Sequence, residues 1–300
     1  MGRRTKDSGL DGLYVIDKPA GMTSTDVVNR VRRITGQRRC GHSGTLDPGA
    51  TGVLLVALGQ CTKLLQYLNV HTKSYSAQLV LGSTTNTLDD EGVVLQTFDM
   101  SFVTSEQVVS AAQRLVGDIM QIPPMVSAIQ VNGKRLHEYA REGIEVERVA
   151  RPVHVDRYDV TATDNPLVFE IKVDCSTGTY VRVLAADVGA ALGGGAHLRR
   201  LRRTAIGPFS EGDAVPLTDD LSRHEPLDAR GMLSHLPAIV VGSNVAAAVL
   251  VGGVLDRTTF AGIPEGAERW QVVADERLIA LYEPFRGGMA KPSVVLNREG

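Results

Sequence analysis

The sequence predicts an α+β fold: a mixed or antiparallel sheet with helices set between its strands, followed by a small β-rich unit. Three observations predict it. Lys73–Leu81 alternates, with Tyr75, Ala77, Leu79 and Leu81 on one face and Ser74, Ser76 and Gln78 on the other, as a half-buried strand does. Val153–Val160 and Val168–Cys175 then read as two strands in succession. Residues 244–300 hold one short helix and several short strands, among them Gln271–Ala274 and Leu278–Tyr282 around Asp275-Glu276.

The other elements follow in chain order. Leu13–Ile16 is an apolar run ending in Asp-Lys-Pro, a strand and its turn. A helix opens at Thr23–Ser24, whose hydroxyls can cap it, with Asp26 in its first turn. Val27, Val31 and Ile34 fall on one face, and Gly36 is placed to end it. Its other face presents Arg30 and Arg33. The segment GHSGTLDPGATG, residues 41–52, precedes the buried-strand run Val53–Leu58. Thr104 with Gln107 makes a capping box for a helix to about Val116, closed by Gly117. Residues 118–150 contain a Pro-Pro turn, an Asn-Gly turn and a short basic amphipathic stretch, the composition of a mobile insertion. An Ala-rich helix spans about Val181–Leu192 and is stopped by Gly193-Gly194-Gly195. The Pro-punctuated stretch from about 215 to 243 reads as a linker, giving a first domain over 1–235 and a second over 244–300.

Composition limits what the protein does. Apolar residues make up 43% and charged residues 22% of 300, ordinary for a globular chain. No apolar run approaches the roughly 20 residues that span a bilayer; Val245–Val251 stops at Gly252-Gly253. The basic N-terminus lacks an apolar segment behind it and does not read as a signal peptide, so the expected location is the cytoplasm. Cys40, Cys61 and Cys175 are far apart with no CxxC pair, against a disulfide framework or a zinc site. Net charge is only −2, yet its distribution is uneven. Residues 30–39 hold Arg30, Arg32, Arg33, Arg38 and Arg39 with no acid, and RRLRR holds Arg199, Arg200, Arg202 and Arg203. Such patches can bind phosphates while acids elsewhere cancel the total.

The glycine-rich segment carries the chemistry. Four glycines around His42 and Asp47 give a tight loop that a ligand can approach closely. Pro48 pushes the Asp47 backbone toward an extended conformation. By spacing alone this is either a plain Asp-Pro turn or a carboxylate aimed into a cleft. His42 alone reads as an ordinary core or surface histidine. Phosphate loops, HExxH and GxSxG are absent from the sequence.

GHSGTLDPGATGVLLVALG resembles the catalytic motif of pseudouridine synthases, specifically the TruB family that acts on tRNA. Four further segments resemble that family in its order: LYVIDKPAGMTSTDVV, KSYSAQLVLGSTTNTLDDEG, IPPMVSAIQVNGKRLHEYAREG and CSTGTYVRVLAADVGAALGGGAHLRRLRRTAIGPF. Together they cover most of residues 10–210. The resemblance implies a pseudouridine synthase catalytic domain, with 118–150 as its tRNA-gripping insertion and a PUA-like RNA-binding domain at the C-terminus. It implies isomerisation of the uridine at position 55 in the T loop of tRNA, with the T-arm as partner, no cofactor, no membrane and no obligate protein partner.

Residue by residue, the resemblance makes Asp47 the catalytic carboxylate, Tyr75 the aromatic against the target base and Arg182 the partner of the carboxylate, with Tyr180 beside it. His42 takes the place vacated by the flipped base. Lys134 and Arg135 in the insertion, and Arg199, Arg200, Arg202 and Arg203, are expected on phosphates. The chemistry agrees: a stacked nucleotide must be everted at a cost of a few kcal/mol, and stacking on an aromatic returns roughly 1–3 kcal/mol. Asp47 must be ionised although buried, which a neighbouring guanidinium favours. Attack at C1′, addition at C6 and proton abstraction from the sugar all remain open, as does the base that removes the C5 proton, Tyr75 or Asp47 itself. The C-terminal segment resembles its counterpart only loosely, with one aromatic cluster, Trp270, Tyr282 and Phe285, and few basic residues before Lys291. Two other readings use the same scaffold: an RNA-binding or tRNA-folding protein, and a synthase with another RNA target. A glycosidase would need two acids across a bond, and Asp89, Asp90 and Glu91 read as a turn-like acidic cluster.

Overall fold

A computed structural model describes residues 8–68 and 72–296. β1 (Gly12–Lys18) leads through a turn into α1 (Ser24–Thr35). Thr23 caps α1 in a capping box with Asp26, and Gly36 closes it in the left-handed region. Val27, Val28 and Val31 pack against Tyr14, Ile16, Leu54 and Val56, burying one face of the sheet. β2 (Cys40–Ser43) and β3 (Thr51–Leu58) form a hairpin whose loop is residues 44–50. β4 (Lys73–Leu81) follows, then a small hairpin of β5 (Ser83–Thr85) and β6 (Val94–Thr97). α2 (Ser105–Gln113) has the expected Thr104–Gln107 box but ends three residues short of Val116, in a turn that frees Gly117 to begin β7 (Gly117–Gln121).

β7 corrects the expected insertion boundary. It pairs along its length with β10 (Arg151–Ala162) and forms the edge of the main sheet, so the insertion begins after Gln121. Between the two lie β8 (Gln130–Val131), β9 (Lys134–Arg135) and α3 (Leu136–Arg141), a hairpin turned at Asn132-Gly133 and one short helix. β10 continues antiparallel to β11 (Val168–Cys175), which leads into α4 (Val181–Ala191) and β12 (Ala196–Ile206). β13 (Phe209–Ser210) folds back on β12, and β14 (Val215–Pro216) runs parallel to β1.

The ten-stranded sheet runs β14-β1-β3-β12-β4-β11-β10-β7, with β2 beside β3 and β13 beside β12. It is antiparallel except at β1–β14 and β3–β12. α2 and α4 cover one face through Val108, Ala111, Leu184 and Val188 against Leu79, Phe169, Ile171 and Leu198. The RRLRR segment lies inside β12, at the centre of this sheet.

Residues 215–243 are not a free linker. Leu227 bridges Leu13 by a pair of backbone hydrogen bonds, and α5 (Ala229–Met232) buries Met232 beside Leu233. The same core holds Leu13, Leu55 and Leu64 with Leu278 and Leu281 of the second sheet, so the stretch is mortar between two bodies. That sheet starts with β15 (Ala238–Val240), earlier than the expected boundary at 244. It continues past α6 (Ser243–Leu250) through β16 (Leu255–Asp256), β17 (Trp270–Ala274), β18 (Arg277–Pro284) and β19 (Met289–Val295). Its strand order is β15-β17-β18-β19-β16. Trp270 and Tyr282 are its buried core with Phe260, whereas Phe285 stays at the surface. No helix among the described residues is long and apolar enough to cross a membrane.

Candidate active site

β3 is paired on one edge by β1 along its full length. Its other edge is shared: β2 takes residues 55–58, and β12 takes Thr51 and Gly52. The loop 44–50 emerges at this fork, in the middle of the sheet. The β3 and β12 backbones come so close there that a Cβ on Gly52 would sit 2.2 Å from the Arg203 carbonyl oxygen, at φ +98°, so only glycine fits.

Buried groups fix the loop from behind. Lys18, 0% exposed, donates from Nζ to the carbonyls of Pro19, Met22 and Pro48 at 2.9, 2.6 and 3.0 Å. Ser24 Oγ accepts from the Leu46 amide at 2.9 Å and donates to its carbonyl at 3.2 Å. Arg203, 1% exposed, donates to the carbonyls of Val53, Thr45 and Gly44 and lies against the Tyr75 phenol. The loop thereby presents Asp47 at the rim of the fork.

Arg182, on the first turn of α4, is 3% exposed and reaches Asp47 with Nε at 3.1 Å. Its Nη1 lies 3.4 Å from Asp89 and donates to the Thr87 carbonyl at 2.6 Å, while Nη2 donates to the Val126 carbonyl at 2.9 Å. One guanidinium thus joins the loop 44–50, the turn after β5 and the insertion. Burial pushes the Asp47 carboxyl above its ordinary pKa; Arg182 opposes this, Asp89 adds to it, and Lys18 and Arg203 oppose it. Asp47, Arg182, Asp89 and Leu201 line a cleft of about 30 Å³, too small for a base until something moves.

Tyr75 faces its neighbour Arg203 across β4 and β12. Burial raises its phenol pKa, so the hydroxyl keeps its proton. His42 lies opposite Val56 on β2; burial, then Arg203, lowers its pKa, and its Nδ1 is buried without a hydrogen-bond partner. The lowered pKa keeps the ring neutral at pH 7. Tyr180 is the N-terminal cap residue of α4, its amide and carbonyl both held by the Gln121 side chain at 2.8 and 3.2 Å.

The arginines expected on phosphates divide. Arg203 is inside the sheet and cannot reach a phosphate. Arg202 is engaged by Asp17 at 2.9 Å and Glu211 at 3.2 Å. Arg199 donates to Gln78 at 2.9 Å and lines the cleft with Arg200, which is exposed. Lys134 pairs with Glu142 and sits over the Tyr139 ring, and Arg135 beside it is exposed. Sequence reasoning missed Lys18, Arg203 and Asp89. Lys18 closes a buried strand before a proline, and the acidic cluster follows a strand end, but neither signal names a partner across the fold.

A family description for TruB family pseudouridylate synthases, N-terminal domain, matches residues 32–181. A second, for the tRNA pseudouridylate synthase B C-terminal domain, matches residues 182–229. A protein called tRNA pseudouridine synthase B from Mycobacterium sp. strain KMS is 45% identical over 267 residues, 85% of this chain and 90% of that protein. One of the same name from Mycobacterium tuberculosis is 48% identical over 219 residues, 72% of this chain and 73% of that protein. Among solved structures, a chain of a Cbf5-Nop10-Gar1 complex superposes with TM-score 0.72 at 26% identity, over 96% of this chain and 85% of that one.

Proposed function

Since the chain belongs to the TruB family of pseudouridylate synthases, we propose that it isomerises one uridine in the T loop of tRNA, at position 55, with Asp47 as the catalytic carboxylate. The observation that carries the assignment of Asp47 is its ion pair with the buried Arg182 at the fork of β3 and β12. An ionised carboxylate is the starting point of each route to glycosidic cleavage, and Arg182 supplies the opposite charge that favours this state against burial.

Placement supports the remaining roles of this proposal. The target base must leave its stack to reach Asp47. Tyr75 receives the everted base with its phenol backed by Arg203. The neutral His42 ring fills the vacated space. Lys134 and Arg135 on the insertion, with Arg199 and Arg200 at the cleft, meet the phosphates; Arg202 joins them only by leaving Asp17 and Glu211. The sheet of β15–β19 serves as a PUA-like RNA-binding unit after the catalytic domain.

The test is tritium release from tRNA labelled at uridine C5, with wild type and Asp47→Ala side by side. One equivalent released by wild type alone is expected. Release by both proteins removes Asp47 from the reaction, and no release from a tRNA that the wild type binds favours an RNA-folding role.

A further inference from the structure

A second cavity, of about 260 Å³, opens where β7, β10, the loop before α4 and the insertion meet. Its walls include Pro123, Ile129, Val153 and Tyr180, and its polar lining includes Arg151 and Thr177. Gln121 holds the Tyr180 peptide on both sides and so fixes the backbone from which the ring projects. Its phenol is within electrostatic reach of Asp47 and Arg182 as well as of Arg151, so this cavity adjoins the catalytic cleft.

Arg151 is the one charged residue in the described lining of the cavity. Among the described residues no carboxylate pairs with Arg151, which is exposed at the rim. Under the floor lies Lys73, 7% exposed, whose Nζ donates to the Thr177 hydroxyl at 3.0 Å. A buried cation held by a neutral hydroxyl leaves positive potential in the cavity that an anion would compensate. Apolar walls with one aromatic ring suit a flat ring with a sugar attached. Both halves are met by one chemical group, a nucleotide within a nucleic-acid strand.

We infer that this cavity takes the nucleotide next to the uridine being isomerised, its base against Tyr180 and its phosphate on Arg151, a reading that rests on RNA being the substrate. The cavity is the roomier of the two, about 260 Å³ against about 30 Å³ for the cleft at Asp47. The neighbouring nucleotide therefore docks on a preformed surface and draws the target toward Asp47. Recognition of the neighbour becomes part of the work of eversion.

The test uses stem–loop RNAs with an abasic ribose immediately 5′ or 3′ of the target uridine, and wild-type, Arg151→Ala and Ile129→Trp proteins. Arg151→Ala removes the charge from an exposed position, and Ile129→Trp fills the cavity. Each variant is expected to lower kcat/KM about tenfold on intact RNA, within the range of one base–aromatic stack. One of the two abasic RNAs should show the same loss with wild type and no further loss with Ile129→Trp, since the base contact cannot be lost twice, whereas Arg151→Ala, whose phosphate partner the abasic RNA keeps, should lower its turnover further. Additive losses of Ile129→Trp and the abasic RNA, or two abasic RNAs turned over like the intact one, overturn the inference. A binding arm separates it from the proposed function: 2-aminopurine at the neighbouring position should be quenched on binding Asp47→Asn protein, and less so when Arg151→Ala is added. If wild type releases no tritium, the proposed function fails while the quench still decides the cavity. No quench at either position refutes the cavity's role.

Discussion

Lys73→Met should stabilise the protein at neutral pH and lose that advantage in alkali. The Lys73 ammonium is almost fully buried, and burial, then the adjacent Arg203, bring its pKa down from 10.5 to about 8. That gap corresponds to about 3 kcal/mol. Below pH 8 the lysine is protonated whether the chain is folded or unfolded, and the folded state bears the cost of burying the charge. Between pH 8 and 10.5 the unfolded chain still holds a proton that the folded chain has released, so stability rises with pH across this window. Methionine removes the cost but leaves Thr177 Oγ1 without its donor, a loss of about 1 kcal/mol. The expected gain at pH 7 is therefore about 2 kcal/mol. The variant-minus-wild-type difference should shrink steadily above pH 8 and reverse near pH 10. Lys18, also lowered to about 8, is present in both proteins and cancels. Urea titrations at pH 7 and pH 10 with matched m-values would measure it. A Met variant less stable at pH 7, or a difference independent of pH, would refute the assignment of Lys73 as a buried cation held at a cost.

Three other outcomes follow from the site. Arg182→Met leaves two carboxylates and two carbonyls without their donor and should destabilise by about 3–5 kcal/mol in denaturant titration; Arg182→Lys should recover little, because one ammonium cannot span four acceptors. The acid limb of kcat/KM should lie above the ordinary aspartate value of 3.8, because the Asp47 pKa is raised. Asp89→Asn should move that limb to lower pH by removing a like charge, and a pH–rate profile showing the limb unmoved or moved upward would contradict the network. Gly52→Ala places a Cβ 2.2 Å from the Arg203 carbonyl at φ +98° and should cost at least about 3 kcal/mol, read as a loss of thermal stability.

Local signals carried most of the fold's elements. Thr23 with Asp26, Thr104 with Gln107 and the glycines at 36 and 193–195 mark helix ends by chemistry that needs no distant partner. Misreadings occurred where a distant partner decides the outcome. Gly117–Gln121 is a strand because β10 pairs with it, and Leu227 is anchored because it bridges Leu13; neither pairing leaves a periodic trace. The arginines of RRLRR looked alike in sequence, yet the irregular register around Arg200, itself at positive φ, leaves Arg200 exposed and Arg203 buried. Asp47 stood out through the resemblance of its glycine-rich segment to a known catalytic motif; its spacing alone is equally that of a plain Asp-Pro turn. Asp89 looked like a turn residue because its partner lies 93 positions away, on α4.

The way the loop 44–50 is held also bears on how the carboxylate of Asp47 would serve the proposed reaction. A buried cation is commonly balanced by a buried acid, and acids placed here would raise the Asp47 pKa further. Lys18 and Arg203 instead end on backbone carbonyls of Pro48, Gly44 and Thr45, which satisfy their donors without supplying negative charge. Both cations therefore keep acting on Asp47, opposing burial together with Arg182. Among the described residues Asp89 is the acid besides Asp47 that pairs with Arg182, and it shares Arg182 rather than replacing it. Since the carbonyls that anchor these cations belong to the loop bearing Asp47, position and charge are set by the same bonds. Mutations at Lys18 and Arg203 should accordingly disturb the geometry of Asp47 and its ionisation together, whereas Asp89→Asn, which leaves the loop bonds intact, should disturb the ionisation alone.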